Sequence, residues 1–307
     1  MAVSTQSTAT PPTSISSGIS GVVQRYLWNW EGRTLTIAYE TLGEGTPVLL
    51  LPSFSTVSTR GEMGGLAKRL SSQFQTVTLD WLGFGQSDRP PLDYQPALYH
   101  QLLQDFVRDI FDRPIAIAAA GHSAGYAMEL VQKMPQSCSR IILVAPTWRG
   151  PLPTMGVDQQ LAGWVRQLVR SPILGQTLYK LNTLPSFLRF MYKRHVYVDD
   201  AKLTPEFIAK KWLITQQPGA RYAPAAFVTG AIDPVCDRSE FLAWFQPAPV
   251  PVMLVVGEQS PSQSKAEMNA LAELTGVEVS LLPGSLGMHE EYAEAIADRV
   301  LEFLGRI

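Results

Sequence analysis

Short apolar runs of strand length alternate along the chain with amphipathic segments of helix length. Two alternating segments, 22–30 and 34–41, flank Glu31-Gly32-Arg33 and predict a β-hairpin. Buried strands are predicted at 48–51, 77–80, 115–120, 140–145, 252–256 and 277–282. Helices are predicted at 61–70, 96–111, 264–274 and 290–304, with one more after 125. This alternation indicates the α/β class with a mostly parallel, doubly wound sheet.

The stretch 114–134 organises the rest of the chain. Its apolar run ends in Gly121-His122-Ser123-Ala124-Gly125, a G-x-S-x-G pattern between a predicted strand and a predicted helix. In that setting the pattern is typical of a nucleophile elbow, a sharp turn that strains the serine backbone and exposes its Oγ. The alternative is a glycine-rich turn of an ordinary α/β protein, in which the pattern occurs by chance.

Composition limits the possible classes of protein. With 307 residues and 46% hydrophobic content, the chain can build one large domain with an insertion, or two small domains. The net charge of −2 argues against a nucleic-acid partner. The two cysteines, Cys138 and Cys236, fit no disulfide framework or metal-ligand spacing, so a reducing compartment is expected, without metal or cofactor.

The first 21 residues are mostly Ser, Thr, Pro, Gly and Ala, and we expect residues 1–21 to be a disordered tail. They lack the basic and apolar regions of a secretory signal. No apolar run in the chain approaches the ~18 residues of a membrane span.

Three features together resemble the α/β-hydrolase superfamily. They are the Asp80–Asp88 segment DWLGFGQSD, the Gly121–Gly125 turn and a histidine near the C-terminus. The resemblance covers about 22–146 and 223–307, and it implies a hydrolase core at these positions. Residues 147–222 then form an inserted helical lid.

The resemblance implies a general base after the last strand, where His289 follows the loop 283–288. His100, His122 and His195 are less well placed, although any single histidine is more often a surface or capping residue. A serine hydroxyl becomes a good nucleophile only when a nearby base takes its proton. Ser123 and His289 are therefore the expected catalytic pair.

The family forms its oxyanion hole from two backbone N–H groups. One follows the nucleophile, here Ala124, and the other lies in the loop after the third strand, here at Phe54. That loop reads Pro52-Ser53 where the family usually has His-Gly, which puts the geometry of the hole in question.

The acid of the expected triad departs most from the family. Ser260 stands where the resemblance implies an Asp. Asp233 is the first substitute, although Asp followed by Pro234 is also a common helix start. Glu258 is the alternative, although it could point outward.

The predicted lid carries most of the charge asymmetry of the chain. Residues 147–221 contain eleven Lys or Arg and four acids, a net charge of +7, whereas the remainder carries −9. The segment 187–197 interleaves aromatic and basic residues, which is typical of an interfacial surface on an anionic membrane. The alternative is a solvated lid whose aromatic side chains face inward over a pocket.

These features predict a serine hydrolase that cleaves a carboxylic ester through an acyl-enzyme at Ser123. The segments 51–56 and 145–151 resemble hydrolases of cyanobacteria and plastids, the group containing chlorophyll dephytylase. This resemblance implies a hydrophobic, membrane-dissolved ester and a cytoplasmic or plastid-stromal protein at a membrane surface. The alternative function is a non-catalytic or weakly catalytic member that binds a small ligand.

Overall fold

The computed structural model describes residues 16–305, and one eight-stranded sheet forms the centre of that part of the chain. The strands are β1 (Val22–Trp30), β2 (Arg33–Leu42), β3 (Pro47–Leu51), β4 (Gln75–Leu79), β5 (Ile115–Ala120), β6 (Cys138–Val144), β7 (Val252–Gly257) and β8 (Val277–Leu282). Their order is β1-β2-β4-β3-β5-β6-β7-β8. The pairs β1–β2 and β2–β4 are antiparallel and the others are parallel. The predicted α/β fold with a mostly parallel sheet is confirmed.

The central strands are buried on both faces. Every residue of β3, β5 and β7 is buried, and each strand is a continuous apolar run. Strands covered by helices on both faces need apolar side chains at every position, which is why these segments do not alternate. The carboxyl ends of these parallel strands meet at one edge of the sheet, and the candidate site is built there.

Thirteen α-helices occur in the described part of the chain. They are α1 (Gly64–Leu70), α2 (Pro96–Ile110), α3 (Ser123–Lys133), α4 (Pro151–Thr154), α5 (Gln159–Arg170), α6 (Leu174–Asn182), α7 (Pro185–Met191), α8 (Pro205–Thr215), α9 (Tyr222–Val228), α10 (Arg238–Ala243), α11 (Ser262–Ala272), α12 (Met288–Glu291) and α13 (Ala293–Leu304). Within residues 16–305, no helix has the length and apolar composition needed to cross a bilayer.

Helices α4 to α8, which we call the inserted helices, lie between β6 and the return of the chain to the main core. The segment from α7 to α8 has a small core of its own, in which Leu188 on α7 and three residues between the two helices, Tyr192, Tyr197 and Leu203, pack with Val57 from the loop after β3. Helices α9 and α10 instead contribute buried side chains to the main core. The inserted helices are thus a separate layer that packs onto the edge of the sheet carrying the candidate site.

The start of the described chain corrects one expectation. Residues 1–15 lie outside the described residues, but the remaining part of the predicted tail packs on the core. Ile19 is buried in the main core, and the Ser17 hydroxyl and the Gly21 amide both donate to the Glu40 carboxylate. A single apolar side chain and hydrogen bonds to a buried acid fix this segment despite its polar composition.

A buried ion network holds the loop after β3. The Arg60 guanidinium pairs with the carboxylates of Glu40 and Asp80, and all three side chains are buried. Asp80 also accepts from the amides of Arg60 and Gln86. Gly85 is required because a Cβ atom there would overlap the Asp80 carboxylate. The Asp80–Asp88 segment therefore has a structural role, which is to anchor the loop that borders the site.

Candidate active site

The sharp turn between β5 and α3 lies two residues before the expected position, Ser123. The left-handed backbone conformation falls on Gly121, whose φ is +52°. Ser123 is already the first residue of α3, and its φ is not positive. The expectation that the turn strains Ser123 is wrong. A glycine adopts this conformation at no steric cost, so the chain turns at Gly121.

The Ser123 side chain is enclosed rather than exposed. Its relative exposure is 0%, and its Oγ donates to the Pro52 carbonyl oxygen at 2.5 Å. The Trp81 indole N–H donates to the same Oγ at 3.0 Å. The expected exposed hydroxyl is therefore also corrected: in this conformation the Pro52 carbonyl and the Trp81 ring cover it.

A second serine lies above the turn. The hydroxyl of Ser53 occupies the space that a Cβ atom on Gly121 would fill. Ser53 is partly exposed, whereas its neighbours Pro52 and Phe54 are buried. This loop has Pro52-Ser53 where the family usually has His-Gly. The Ser53 hydroxyl therefore lies where the side chain of a larger residue at position 121 would be.

The two expected oxyanion donors are placed differently. The Ala124 amide donates to the Gly121 carbonyl at 3.2 Å, so the turn itself uses this N–H group. The Phe54 ring is buried and stacks on Trp81 with 5.0 Å between the ring centroids. This packing fixes the loop after β3, and the role of the Phe54 amide stays a prediction.

His289 lies in α12, directly after the loop that follows β8. Its ring is 4% exposed, and Nε2 lies 3.5 Å from the Glu62 carboxylate. Its Nδ1 atom is buried and has no hydrogen-bond partner among residues 16–305. His289 and Ser123 are not hydrogen-bonded to each other: the Ser123 Oγ donates to the Pro52 carbonyl and accepts from the Trp81 indole, and the His289 ring contacts Glu62.

A lysine completes a buried charged cluster around His289. Lys211 from α8 is 3% exposed, and its Nζ lies 3.5 Å from Glu62 and 2.9 Å from Glu290. Burial alone would lower the pKa of Lys211, but the negative charges of Glu290 and Glu62 raise it well above its ordinary value. Lys211 therefore remains an ammonium between two carboxylates.

Asp233, the first candidate for the acid, pairs with a different histidine. Its carboxylate lies 3.3 Å from His122 Nε2 and accepts from the Gly150 amide at 2.8 Å. The expected contact with His289 does not form. Asp233 is not a helix cap either, since the side chain that caps α10 belongs to Asp237. Asp233 holds the β5–α3 turn against the segment that enters the inserted helices.

The other acid position offers no partner for His289. Glu258 is exposed, so this alternative is also corrected. The Ser260 hydroxyl is buried at the position where the resemblance implies an Asp, and it has no hydrogen-bond partner in the described structure. No sequence motif points to Glu62, which lies 227 positions before His289. The only available signal was that Glu62 is the single acid in a stretch of small and apolar residues, 61–67.

Comparison with known proteins agrees with this architecture. Residues 48–299 match the model of the alpha/beta hydrolase family, so the chain belongs to that family. Membership supports a hydrolase as the class of enzyme.

Uncharacterized proteins of Mycobacterium bovis and Mycobacterium tuberculosis are 31% identical over 108 residues. The match covers 35% of this chain and about a third (31%) of those relatives.

Solved structures are similar over nearly the whole chain. A thermophilic esterase from Thermogutta terrifontis has a TM-score of 0.69 at 20% identity, covering 92% of this chain and 98% of its own. The haloalkane dehalogenase DatA from Agrobacterium tumefaciens C58 has a TM-score of 0.69 at 18% identity, covering 95% and 99%. An enol-lactonase from Burkholderia xenovorans LB400 has a TM-score of 0.66 at 17% identity, covering 89% and 97%. At these identities the similarity shows the fold.

Proposed function

We propose that this protein hydrolyses a carboxylic ester, with Ser123 as nucleophile and His289 as general base. The observation that carries the proposal is the state of His289. One ring nitrogen faces a carboxylate and the other is unpartnered in a buried position, at the place where this fold holds an acid–base histidine. Asp at the elbow, as in haloalkane dehalogenases and epoxide hydrolases, is absent from this turn, which supports acyl transfer over dehalogenation.

The proposed reaction has two acyl-transfer steps. The Ser123 oxygen bonds to the ester carbonyl carbon while its proton passes to His289, and the carbonyl electrons move to the oxyanion. The protonated histidine then gives the proton to the departing alcohol oxygen. Water repeats the sequence on the acyl-enzyme and releases the acid. The Phe54 amide, and the Ala124 amide once it leaves Gly121, are the proposed oxyanion donors.

The enclosed serine imposes one requirement on this mechanism. The Ser123 hydroxyl must leave the Pro52 carbonyl before it reaches a substrate or a base. Movement of the 52–54 segment would free it, and the same movement would clear the Ser53 hydroxyl from the space above Gly121. Catalytic hydrogen bonds often form only in the substrate complex.

A hydrophobic ester is the proposed substrate class, with the phytyl ester of chlorophyll as a specific candidate. Leu161, Trp164 and Leu168 lie on one face of α5 and are 57%, 76% and 43% exposed. Further along the insertion, Phe187 and Phe190 are exposed, and the Arg194 guanidinium lies over the Phe190 ring. Exposed apolar side chains beside basic groups support peripheral contact with an anionic membrane.

A second function is favoured by a specific observation. The residue with left-handed backbone in the turn is Gly121, which has no side chain that could act as a nucleophile. Ser260 stands where the resemblance implies the Asp of the triad. A protein with these replacements could bind a small hydrophobic ligand on the hydrolase fold without turning it over.

Labelling with a fluorophosphonate, combined with a panel of lipid and pigment esters, decides between the two functions. Wild type, Ser123→Ala and Ser53→Ala are compared, and the labelled peptide is identified by mass spectrometry. Turnover by wild type, with the label on Ser123, supports the proposal. A label on Ser53 would move the nucleophile to the loop after β3. Absence of both label and turnover would replace hydrolysis by ligand binding.

A further inference from the structure

We infer that Glu62 is the carboxylate that positions His289, and that Nδ1 is the ring nitrogen left free to accept a proton. Glu62 lies after β3, so it is neither of the two acids considered from the sequence, Asp233 and Glu258. The inference gives a new residue to the proposed ester hydrolase. The test of this inference by enzyme activity rests on that proposed function, whereas the test by NMR spectroscopy does not.

The contacts of the ring distinguish its two nitrogens. Nε2 lies 3.5 Å from a Glu62 carboxylate oxygen, a long contact between two side chains that are both about 5% exposed. A carboxylate accepts but does not donate, so it favours the proton on Nε2 in the neutral ring. The lone pair is then on Nδ1, which is buried and has no partner in the described structure.

Glu62 is itself held by a charge from the inserted helices. Lys211 lies between Glu62 and Glu290. Two further charged groups lie on the same elements and have other partners: Glu291 on α12 accepts from the Val198 and Asp199 amides, and Arg60 pairs with Glu40 and Asp80. Tyr192 and Tyr197 also border the cluster. Burial raises the pKa of both phenols, so both stay protonated. The ammonium supplies a counter-charge to the buried Glu62 and the partly exposed Glu290, and Glu62 can remain an acceptor for His289.

Within residues 16–305, neither competing acid makes a hydrogen bond or ion pair with His289. Asp233 is occupied by His122 and the Gly150 amide, and Glu258 is exposed. Glu62 is therefore the carboxylate whose contact with His289 the structure contains. Because Lys211 belongs to α8, packing of the inserted helices on the sheet edge completes this arrangement. The insertion would then have a role at the histidine in addition to covering the site.

The direct test is the tautomer of His289, measured by ¹⁵N NMR on histidine-labelled protein. The chain has four histidines, and His289→Gln identifies the resonances of this ring. In wild type at a pH where the ring is neutral, we expect the proton on Nε2. Glu62→Gln keeps the shape but offers an amide donor, so the proton should shift toward Nδ1. An unchanged tautomer in Glu62→Gln would overturn the inference, whether or not the protein hydrolyses esters.

The activity arm uses a matched control. Glu62→Gln should reduce kcat on the order of 10²–10⁴-fold, as expected when a histidine loses the carboxylate that fixes its tautomer. Glu62→Asp should recover part of the loss, which a purely structural role would not predict. Glu258→Gln makes the same chemical change on an exposed acid, and it should leave kcat and the tautomer unchanged. Equal kcat in Glu62→Gln and wild type would contradict the inference. Lack of turnover in wild type would instead contradict the proposed function.

Discussion

The hydroxyl of Ser53 fills the space above Gly121 that a side chain at the β5–α3 turn would need. Gly121 also has a φ of +52°, in the left-handed region. Two independent constraints, backbone conformation and crowding, therefore act on this one residue. Together they explain why the turn has a glycine two positions before the serine of the G-x-S-x-G pattern.

Gly121→Ala should consequently destabilise the protein on both counts. The left-handed backbone costs about 1–2 kcal/mol for a residue with a Cβ atom. Crowding against Ser53 adds roughly 1–3 kcal/mol. Chemical denaturation measures the free energy of unfolding of the variant.

Gly32→Ala is the matched control for that measurement. Gly32 has a φ of +76° but no atom within 4 Å of its Cβ position, so its substitution reports the backbone cost alone. Combining Gly121→Ala with Ser53→Gly should recover the crowding part. Equal destabilisation by Gly121→Ala and Gly32→Ala would show that the Ser53 hydroxyl yields freely.

Ser123→Ala should abolish ester hydrolysis, with a loss on the order of 10⁴–10⁶ in kcat if Ser123 and His289 act as a unit. The cost in stability should be modest, about 1–2 kcal/mol for the lost hydrogen bonds, because the Trp81 indole also donates to the Pro52 carbonyl at 3.0 Å. Activity and thermal denaturation are measured on the same preparation. Retention of more than a tenth of wild-type turnover would remove Ser123 from the mechanism.

Lys211→Met should be strongly destabilising. It removes the ammonium between Glu62 and Glu290 and leaves these carboxylates without their counter-charge. Breaking a buried ion pair from one side costs about 3–5 kcal/mol. The exposed neighbour gives the control: Lys210→Met should change the free energy of unfolding by less than about 0.5 kcal/mol. Similar values for the two variants would show that the buried cluster contributes little to stability.

The order of strands and helices was predictable because continuous apolar runs and amphipathic periodicity encode local structure directly. The location of the turn was not predictable. The G-x-S-x-G pattern points to Ser123, whereas the backbone turns at Gly121, the residue with no Cβ atom. The partner of His289 was also beyond local reasoning. Glu62 meets the ring only because the loop after β3, α12 and the inserted helices pack together.

Acid should destabilise the fold through Glu40. Burial alone would raise the pKa of Glu40, but hydrogen bonds from Ser17, Arg60 and Gly21 outweigh it and lower the pKa below its ordinary value. A group with a lowered folded-state pKa stabilises the protein fully above its unfolded pKa, about 4.3 for Glu, and loses that contribution as the pH falls. The free energy of unfolding should therefore decrease as the pH falls below about 4.3.

Glu40→Gln tests the origin of that slope. The variant should be less stable than wild type near neutral pH, and the difference between the two should shrink as the pH falls toward 3. Urea denaturation at a series of pH values measures both. A difference that stays constant over this range would exclude Glu40 as a source of acid sensitivity.

Membrane contact should depend on apolar side chains of the inserted helices more than on their basic charge. Several predicted membrane cations have internal partners: Lys211 is buried, Arg189 donates to the Leu203 carbonyl and Lys193 pairs with Asp200. Each remaining surface cation is worth about 1 kcal/mol near an anionic membrane, and the Debye length is ~10 Å in 0.1 M salt. Salt should therefore weaken binding without abolishing it.

The substitutions Trp164→Ser and Phe190→Ser, made together, should abolish binding to phosphatidylglycerol vesicles in a flotation assay, because both side chains are more than half exposed on the inserted helices. Leu281→Ser is the control, since Leu281 is 61% exposed on the edge strand β8, outside the insertion. Hydrolysis of a water-soluble short ester should be unchanged in the double variant, because neither residue contacts the candidate site. If wild type ignores these vesicles at low salt, the exposed apolar face does not bind membranes. If the control loses binding as well, the contact is not specific to the inserted helices.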